Sequence, residues 1–278
     1  MPEGPEIRIA ADRIARVLEG QRVEDVELNL PRLRHFRVEL LGASIIRVET
    51  RGKAMLTRFD NDLTLYSHNQ LYGRWYVRTR GHLPKTNRSL RVALHTQTHS
   101  ALLYSASDIE VLDEAGLEAH PFLRRIGPDI LDPELSANVI ATRLNEARFR
   151  NRSLASLYLD QTFIAGIGNY LRSEILYFAG LAHTRRPKDL TRAERLRLGR
   201  HTLSVSLRSY QTGGVTNPDA RVQKRKAGGD KTKGTYRFAV FAREGMPCDA
   251  CGETINRLEA GSRRLYFCGD CQNYPNMG

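Results

Sequence analysis

After Pro5, apolar residues recur at Ile7, Ala10, Ala11, Ile14, Val17 and Leu18, and Gly20 follows. That spacing is one face of an amphipathic helix, opened by a proline and closed by a glycine. From Val23 to about Leu112 the period shortens to two. Segments 44–59, 63–67, 74–79, 90–96 and 101–105 read as strands, separated by Gly, Asn, Asp and Pro clusters. Several short strands in series predict an antiparallel sandwich or barrel.

From Leu117 the pattern turns helical. Asp132-Pro133 opens one predicted helix, and 153–163, 170–178 and 190–207 give others. Gly166-Ile167-Gly168-Asn169 interrupts two apolar helical stretches. A two-glycine turn before a helix exposes backbone N–H groups that suit a phosphate, although an ordinary helix–helix turn has the same pattern. In 211–234, Gly213, Gly214, Gly228, Gly229 and Gly234 alternate with Arg221, Lys224, Arg225, Lys226, Lys231 and Lys233. This composition predicts a mobile basic loop, either a spacer or a segment that closes over a polyanion. Residues 235–271 read as a strand, a cysteine knuckle and a hairpin. Its turn is expected at 259–262, which puts Arg263 and Arg264 near the tip. The expected organisation is α+β: a β-sandwich domain over 1–115, a helical domain over 116–234 containing the basic loop, and a finger with its tail over 235–278.

Charge narrows the partner. The 278 residues carry 43 Lys plus Arg against 31 Asp plus Glu, a net of +12. An excess of this size attracts polyanions, nucleic acid first among them. Neither a membrane-spanning run nor a secretory leader is visible, so a cytoplasmic, membrane-free protein is expected. All four cysteines stand as Cys248-x2-Cys251 and Cys268-x2-Cys271. In a reducing compartment this spacing predicts one zinc ion; two disulfides are the alternative in an oxidising one.

The chain begins Met1-Pro2-Glu3-Gly4-Pro5-Glu6. Removal of Met1 would leave Pro2 with a free secondary amine. An α-amino group titrates near ~8, about two units below lysine, so part of it is unprotonated at neutral pH. Such an amine attacking an aldehyde-level carbon gives a cationic iminium, an electron sink for covalent catalysis. Glu3 would stand beside it as proton donor or acceptor. The other reading is that Pro2 and Pro5 only stiffen a helix entry.

Met1-Pro2-Glu3-Gly4-Pro5-Glu6-Ile7, Arg51-Gly52-Lys53, Gly166-Ile167-Gly168-Asn169-Tyr170 and the four-cysteine finger occur together and in order. On these motifs the chain resembles the formamidopyrimidine-DNA glycosylase/endonuclease VIII family over essentially its whole length, and its endonuclease VIII branch most. The resemblance implies an N-terminal antiparallel β-sandwich with flanking helices, then a helical domain with a helix-two-turn-helix and a zinc β-hairpin. It implies a monomer that acts on double-stranded DNA bearing oxidised bases or abasic sites, with one structural zinc and no catalytic cofactor. Pro2 would be the nucleophile, Glu3 its proton partner, Lys53 a catalytic lysine, and Arg263 the finger-tip arginine that supports δ-elimination. Gln70, Leu71 and Tyr72 would fill the gap left by an extruded nucleotide. Arg125 and Asn169 would contact DNA, and Glu6 and Glu174 would be carboxylates placed near the site. The contiguous Gln70-Leu71-Tyr72 and the Gly4 start favour oxidised pyrimidines. An 8-oxoguanine enzyme and a non-catalytic zinc-dependent DNA-binding protein are the alternatives. The long 211–234 stretch departs from the family pattern, as does the tail 273–278, for which no role is expected.

Overall fold

The computed structural model describes residues 2–261 and 263–272. Two compact units, 1–125 and 126–278, divide the chain.

The first unit opens with α1 (Gly4–Leu18), whose buried positions Ile7, Ala11, Ile14 and Leu18 lie on one stripe. Then follow β1 (Asp25–Leu28), the short α2 (Arg37–Leu40), β2 (Ile45–Arg51), β3 (Ala54–Phe59), β4 (Thr64–His68), β5 (Arg74–Thr79), β6 (Leu90–His95), β7 (His99–Tyr104), β8 (Asp108–Leu112) and α3 (Glu114–Ala119). They form two four-stranded sheets, ordered β1-β6-β7-β5 and β2-β3-β4-β8, with every pairing antiparallel. The main core joins the α1 stripe to side chains of both sheets, among them Val26, Ile45, Met55, Phe59, Leu65, Val92, Leu94 and Leu103. Alternate residues of β3 serve a second cluster. Ala54 and Leu56 pack with Tyr66 and Leu117, and Phe122 and Leu123 lean on them. That cluster carries the first unit beyond α3.

Two expectations change here. The run 44–59 is two strands, because Gly52 (φ +64°) turns the chain between Arg51 and Ala54. Glycine at the first central position of a two-residue hairpin is the type II′ arrangement. Strands β1 and β8 extend the expected set.

The second unit contains α4 (Ala137–Leu144), the single-turn α5 (Leu154–Leu157), α6 (Asn169–Phe178), α7 (Arg192–Gln211), α8 (Asp219–Ala227), the single-turn α9 (Lys233–Tyr236), β9 (Ile255–Glu259) and β10 (Arg264–Cys268). Its core joins α4, α6 and α7 with Leu265 and Phe267 of β10, so the finger hairpin shares the helical core.

Four expectations are corrected. The helix placed at Asp132-Pro133 begins at Ala137, where the Ser136 side chain accepts from Val139 N–H. The helix expected over 153–163 stops at Leu157; further on, the Asp160 carboxylate accepts from Thr162 N–H and turns the chain. The strand expected after Thr235 is absent among the described residues, where α9 and turns occupy 233–244. The basic stretch 211–234 is not a loop throughout. Nine of its residues form α8, and Thr216 and Asn217 before it are fully buried. The composition misled because α8 is held by partners remote in sequence, described below. No helix among the described residues is long and apolar enough to cross a membrane.

Candidate active site and zinc centre

In the first unit, Glu3 is the N-cap of α1 and is 2% exposed. Its backbone N–H donates to Glu6 Oε2 at 3.0 Å, closing a capping box over the first helical turn. Glu6 thereby fixes the backbone next to Pro2, which is half-buried. A helix N-terminus carries a partial positive charge. That charge opposes protonation of an amine placed there and so favours its nucleophilic form.

Lys53 does not lie within a strand, as expected, but in the β2–β3 turn beside Gly52. Gly52's positive φ is what aims this turn. Ala54 pairs with His68, so the turn stands at the same end of the sheet as the exit of β4. His68 titrates below its ordinary value, because burial disfavours the imidazolium by more than the Asp108 carboxylate favours it, and the positive Lys53 lowers it a little further. The Gln70 N–H donates to His68 Nδ1 at 3.3 Å. Sequence reasoning missed His68; its place two residues before Gln70-Leu71-Tyr72 was the available signal.

Gln70, Leu71 and Tyr72 form the crossing from β4 in one sheet to β5 in the other. Leu71 is 56% and Tyr72 68% exposed. The loop is nonetheless held. Gln70 adopts φ +49°, its Oε1 accepts from Ser107 Oγ at 3.1 Å, and an Arg88 guanidinium donates to the Tyr72 carbonyl. Gly73 N–H donates to Asn69 O at 2.7 Å, an approach that leaves no room for a Cβ. Two large apolar side chains on a braced, projecting loop cost solvation unless they meet a partner. Arg125 is exposed near the end of this unit, with its Nε donating to Pro121 O at 2.9 Å.

In the second unit, Gly166 (φ +99°) and the N-cap Gly168 lead into Asn169, the first residue of α6. Gln161 braces the turn, accepting from Gly166 N–H at 3.0 Å and donating to Ile167 O at 2.9 Å. Fully buried Arg172, which the sequence reading passed over, bonds Asn169 Oδ1 at 2.7 Å. The same Nη2 reaches Arg264 O at 3.1 Å and Arg263 O at 3.5 Å. Arg172 thus brings Asn169 and the finger tip together. Arg263 is exposed at the β9–β10 turn, and Ser262 of that turn lies outside the described residues.

Glu174 is fully buried. Its carboxylate accepts from the Thr216 hydroxyl and from the N–H groups of Ala239 (2.8 Å), Val240 (2.8 Å) and Phe241 (2.9 Å). It anchors the segment leading to the finger, as four hydrogen bonds to one carboxylate compensate its burial.

Cys248, Cys251, Cys268 and Cys271 present sulfurs that all lie within 4.8 Å of one another. Three pairs are at 3.8, 3.4 and 3.5 Å. A tetrahedral site with Zn–S bonds of about 2.3 Å requires sulfurs about 3.8 Å apart, so the four residues fit zinc. Burial raises the Cys248 thiol, but donors including Tyr177 and the Ala250 and Cys251 N–H groups outweigh it and bring the value to about 7. These four thiolates hold one structural zinc, which ties the two knuckles together.

Comparison with known proteins agrees at each level. A model of the formamidopyrimidine-DNA glycosylase N-terminal domain matches residues 1–107, one of the H2TH domain of that enzyme matches 126–218, and one of a zinc finger found in FPG and IleRS matches 245–273. Endonuclease 8 of Escherichia coli is 48% identical over 273 residues, covering 98% of this chain and 100% of that protein. Endonuclease 8 of Shigella sonnei gives the same figures. The chain belongs to the formamidopyrimidine-DNA glycosylase/endonuclease VIII family. The family fold is seen in a crystal structure of Lactococcus lactis Fpg in complex with N7-benzyl-Fapy-dG DNA. It matches with a TM-score of 0.80 at 19% identity, covering 98% of this chain and 100% of that one. Another structure of the same enzyme, non-covalently bound to DNA containing an AP site, matches with a TM-score of 0.79 at 19% identity, over 98% of this chain and 100% of that one. Family membership accounts for the antiparallel sandwich, the glycine turn before α6 and the four-cysteine hairpin occurring in one chain.

Proposed function

We propose that this protein is a bifunctional DNA glycosylase and abasic-site lyase of base excision repair that removes oxidised pyrimidines. The observation that carries the reading is the near full-length 48% identity to Endonuclease 8, with Pro2-Glu3 heading a capped helix. With Met1 removed, the Pro2 nitrogen attacks C1′ of the damaged nucleotide and the C1′–N bond to the base breaks. Glu3 supplies the proton that opens the sugar ring. The resulting iminium acidifies C2′–H, and loss of that proton expels the 3′ phosphate in β-elimination. A δ-elimination then expels the 5′ phosphate and leaves a gap. Lys53 shuttles a proton and, like Asn169, Arg125 and Arg263, binds phosphate. Leu71 and Tyr72 fill the space left by the extruded nucleotide, whose removal from the stack costs roughly a few kcal/mol. Glu6 and Glu174 act indirectly, by holding α1 and the finger approach. The partner is double-stranded damaged DNA, the working form a monomer and the compartment the cytoplasm.

Borohydride reduces an iminium to a stable amine, so it will link the protein covalently to a thymine-glycol duplex. Pro2→Gly is expected to weaken the adduct severely, and Glu3→Gln to lose base excision more than lyase activity. Absence of an adduct with correctly processed protein overturns the reading. Equal or faster excision of 8-oxoguanine in side-by-side rates overturns the pyrimidine assignment alone.

A further inference from the structure

The stretch 219–237 holds seven Lys and Arg against two Asp. It is folded, and the zinc knuckle folds it. Asp249, between the first two cysteines, accepts from Arg225 Nε (2.9 Å) and Nη2 (2.6 Å), and pairs with Arg243 (3.1 Å) and Arg221 (3.9 Å). Arg221 and Arg225 are one helical turn apart, so both lie on the α8 face turned to the knuckle. Arg221 also lies over the rings of Tyr177 and Phe178, at 5.6 and 5.4 Å.

Between this face of α8 and the 237–249 segment lies a cavity of about 820 Å³. Arg221, Lys224, Arg225, Arg237 and Arg243 line it, against Asp230 and Asp249. Three of the guanidiniums already share the single Asp249 carboxylate, so the lining keeps an excess of positive charge. Lys224 is exposed on this wall, and among the described residues no carboxylate pairs with it. Cations held rigid before binding lose little entropy when an anion arrives. A diester phosphate carries one negative charge and accepts several N–H bonds, which suits guanidinium and ammonium groups converging on one space.

We propose that the cleft between α8 and the zinc knuckle binds a backbone phosphate of DNA, as a site separate from Asn169 and Arg263. The proposal rests on the reading of DNA as the partner. It gives the basic stretch a task that its composition left open, and it makes Asp249 a positioning residue that hangs α8 on the knuckle.

Lys224→Ala and Lys224→Glu remove or reverse one exposed charge without touching the zinc ligands or the residues assigned to chemistry. Binding of the zinc-loaded protein to undamaged duplex is measured across a salt series. Each lost phosphate contact lowers the slope of log K against log salt by about 0.9. The expected result is a slope smaller by about one for Lys224→Ala, with weaker binding still for Lys224→Glu. The amount of borohydride-trapped adduct at saturating DNA should stay at the wild-type level. Inorganic phosphate should compete with DNA more strongly than chloride at equal ionic strength for the wild type, and lose that advantage in Lys224→Glu. An unchanged slope in both variants overturns the proposal. Failure of the wild type to bind DNA or form an adduct overturns the functional reading instead.

Discussion

The two units place the residues of the proposed site by different means. In the first, the groups are carried on backbone geometry: a capped helix start for Pro2 and Glu3, a glycine turn for Lys53, a braced sheet-to-sheet crossing for Leu71 and Tyr72. An apolar core joining two sheets and α1 fixes those backbones. In the second, buried or half-buried charges and a metal do the positioning. Arg172 ties Asn169 to the finger tip, Glu174 ties α6 to 239–241, Asp249 ties α8 to the knuckle, and zinc ties knuckle to knuckle. The finger hairpin takes its apolar contacts from the helical core through Leu265 and Phe267, and the polar bonds add direction to that packing. Such bonds are directional but intolerant, because removing one partner strands the other in the interior.

The largest effect that would test this contrast is removal of zinc. Structural zinc contributes about 10–16 kcal/mol in isolated fingers. Chelation or Cys268→Ser should abolish hydrogen-exchange protection across 245–272 and DNA binding with it, while the sheets of the first unit stay protected. Tight binding without metal would break the contrast. Next comes Glu174→Ala, which strands three amides and a hydroxyl; at about 1–3 kcal/mol for each buried donor left without an acceptor, it should cost about 3 kcal/mol or more in denaturant unfolding. A loss below about 1 kcal/mol would show that the carboxylate is not the anchor its hydrogen bonds describe.

In the first unit the corresponding change is milder. Gly52→Ala forces a Cβ into a left-handed conformation, at about 1–2 kcal/mol. Because it displaces the turn bearing Lys53, which is proposed both to move a proton and to bind phosphate, single-turnover excision should slow by more than DNA affinity falls. A fall in affinity as large as the fall in rate would argue that the turn only binds. The smallest effect concerns His68. Its folded value lies below the ordinary 6.5, so the fold prefers the neutral ring. The stability this preference contributes is therefore present above 6.5 and is lost as pH falls below it. Protonation of Nδ1 would also break the bond from Gln70 N–H. An NMR titration should give a midpoint below 6.5, with the Gln70 amide shifting in step; a midpoint above 6.5 would remove the pH link to the 70–72 crossing.

Much of the candidate site could be read along the chain because its signals are local. The α1 stripe and its proline, the Arg51-Gly52-Lys53 step, the two-glycine turn and the cysteine spacing each span a few residues. Errors arose where local composition met remote partners. Gly52 read as part of a long strand, since a single glycine in an alternating run does not announce a hairpin. The basic 211–234 stretch read as mobile, since nothing within it signals that Arg225 meets Asp249, 24 positions away.

Periodicity, turn residues and ligand spacing act over one or two turns of chain, and they suffice for the family, the α+β class, the zinc site and the residue types available for amine-based chemistry. Which buried charges hold those groups in place is set by the folded chain. Arg172 meets the Arg264 carbonyl 92 residues on, and Glu174 meets the Val240 amide 66 residues on. A buried ion is stable only where its partners converge on it, and convergence over such separations is a property of the folded chain.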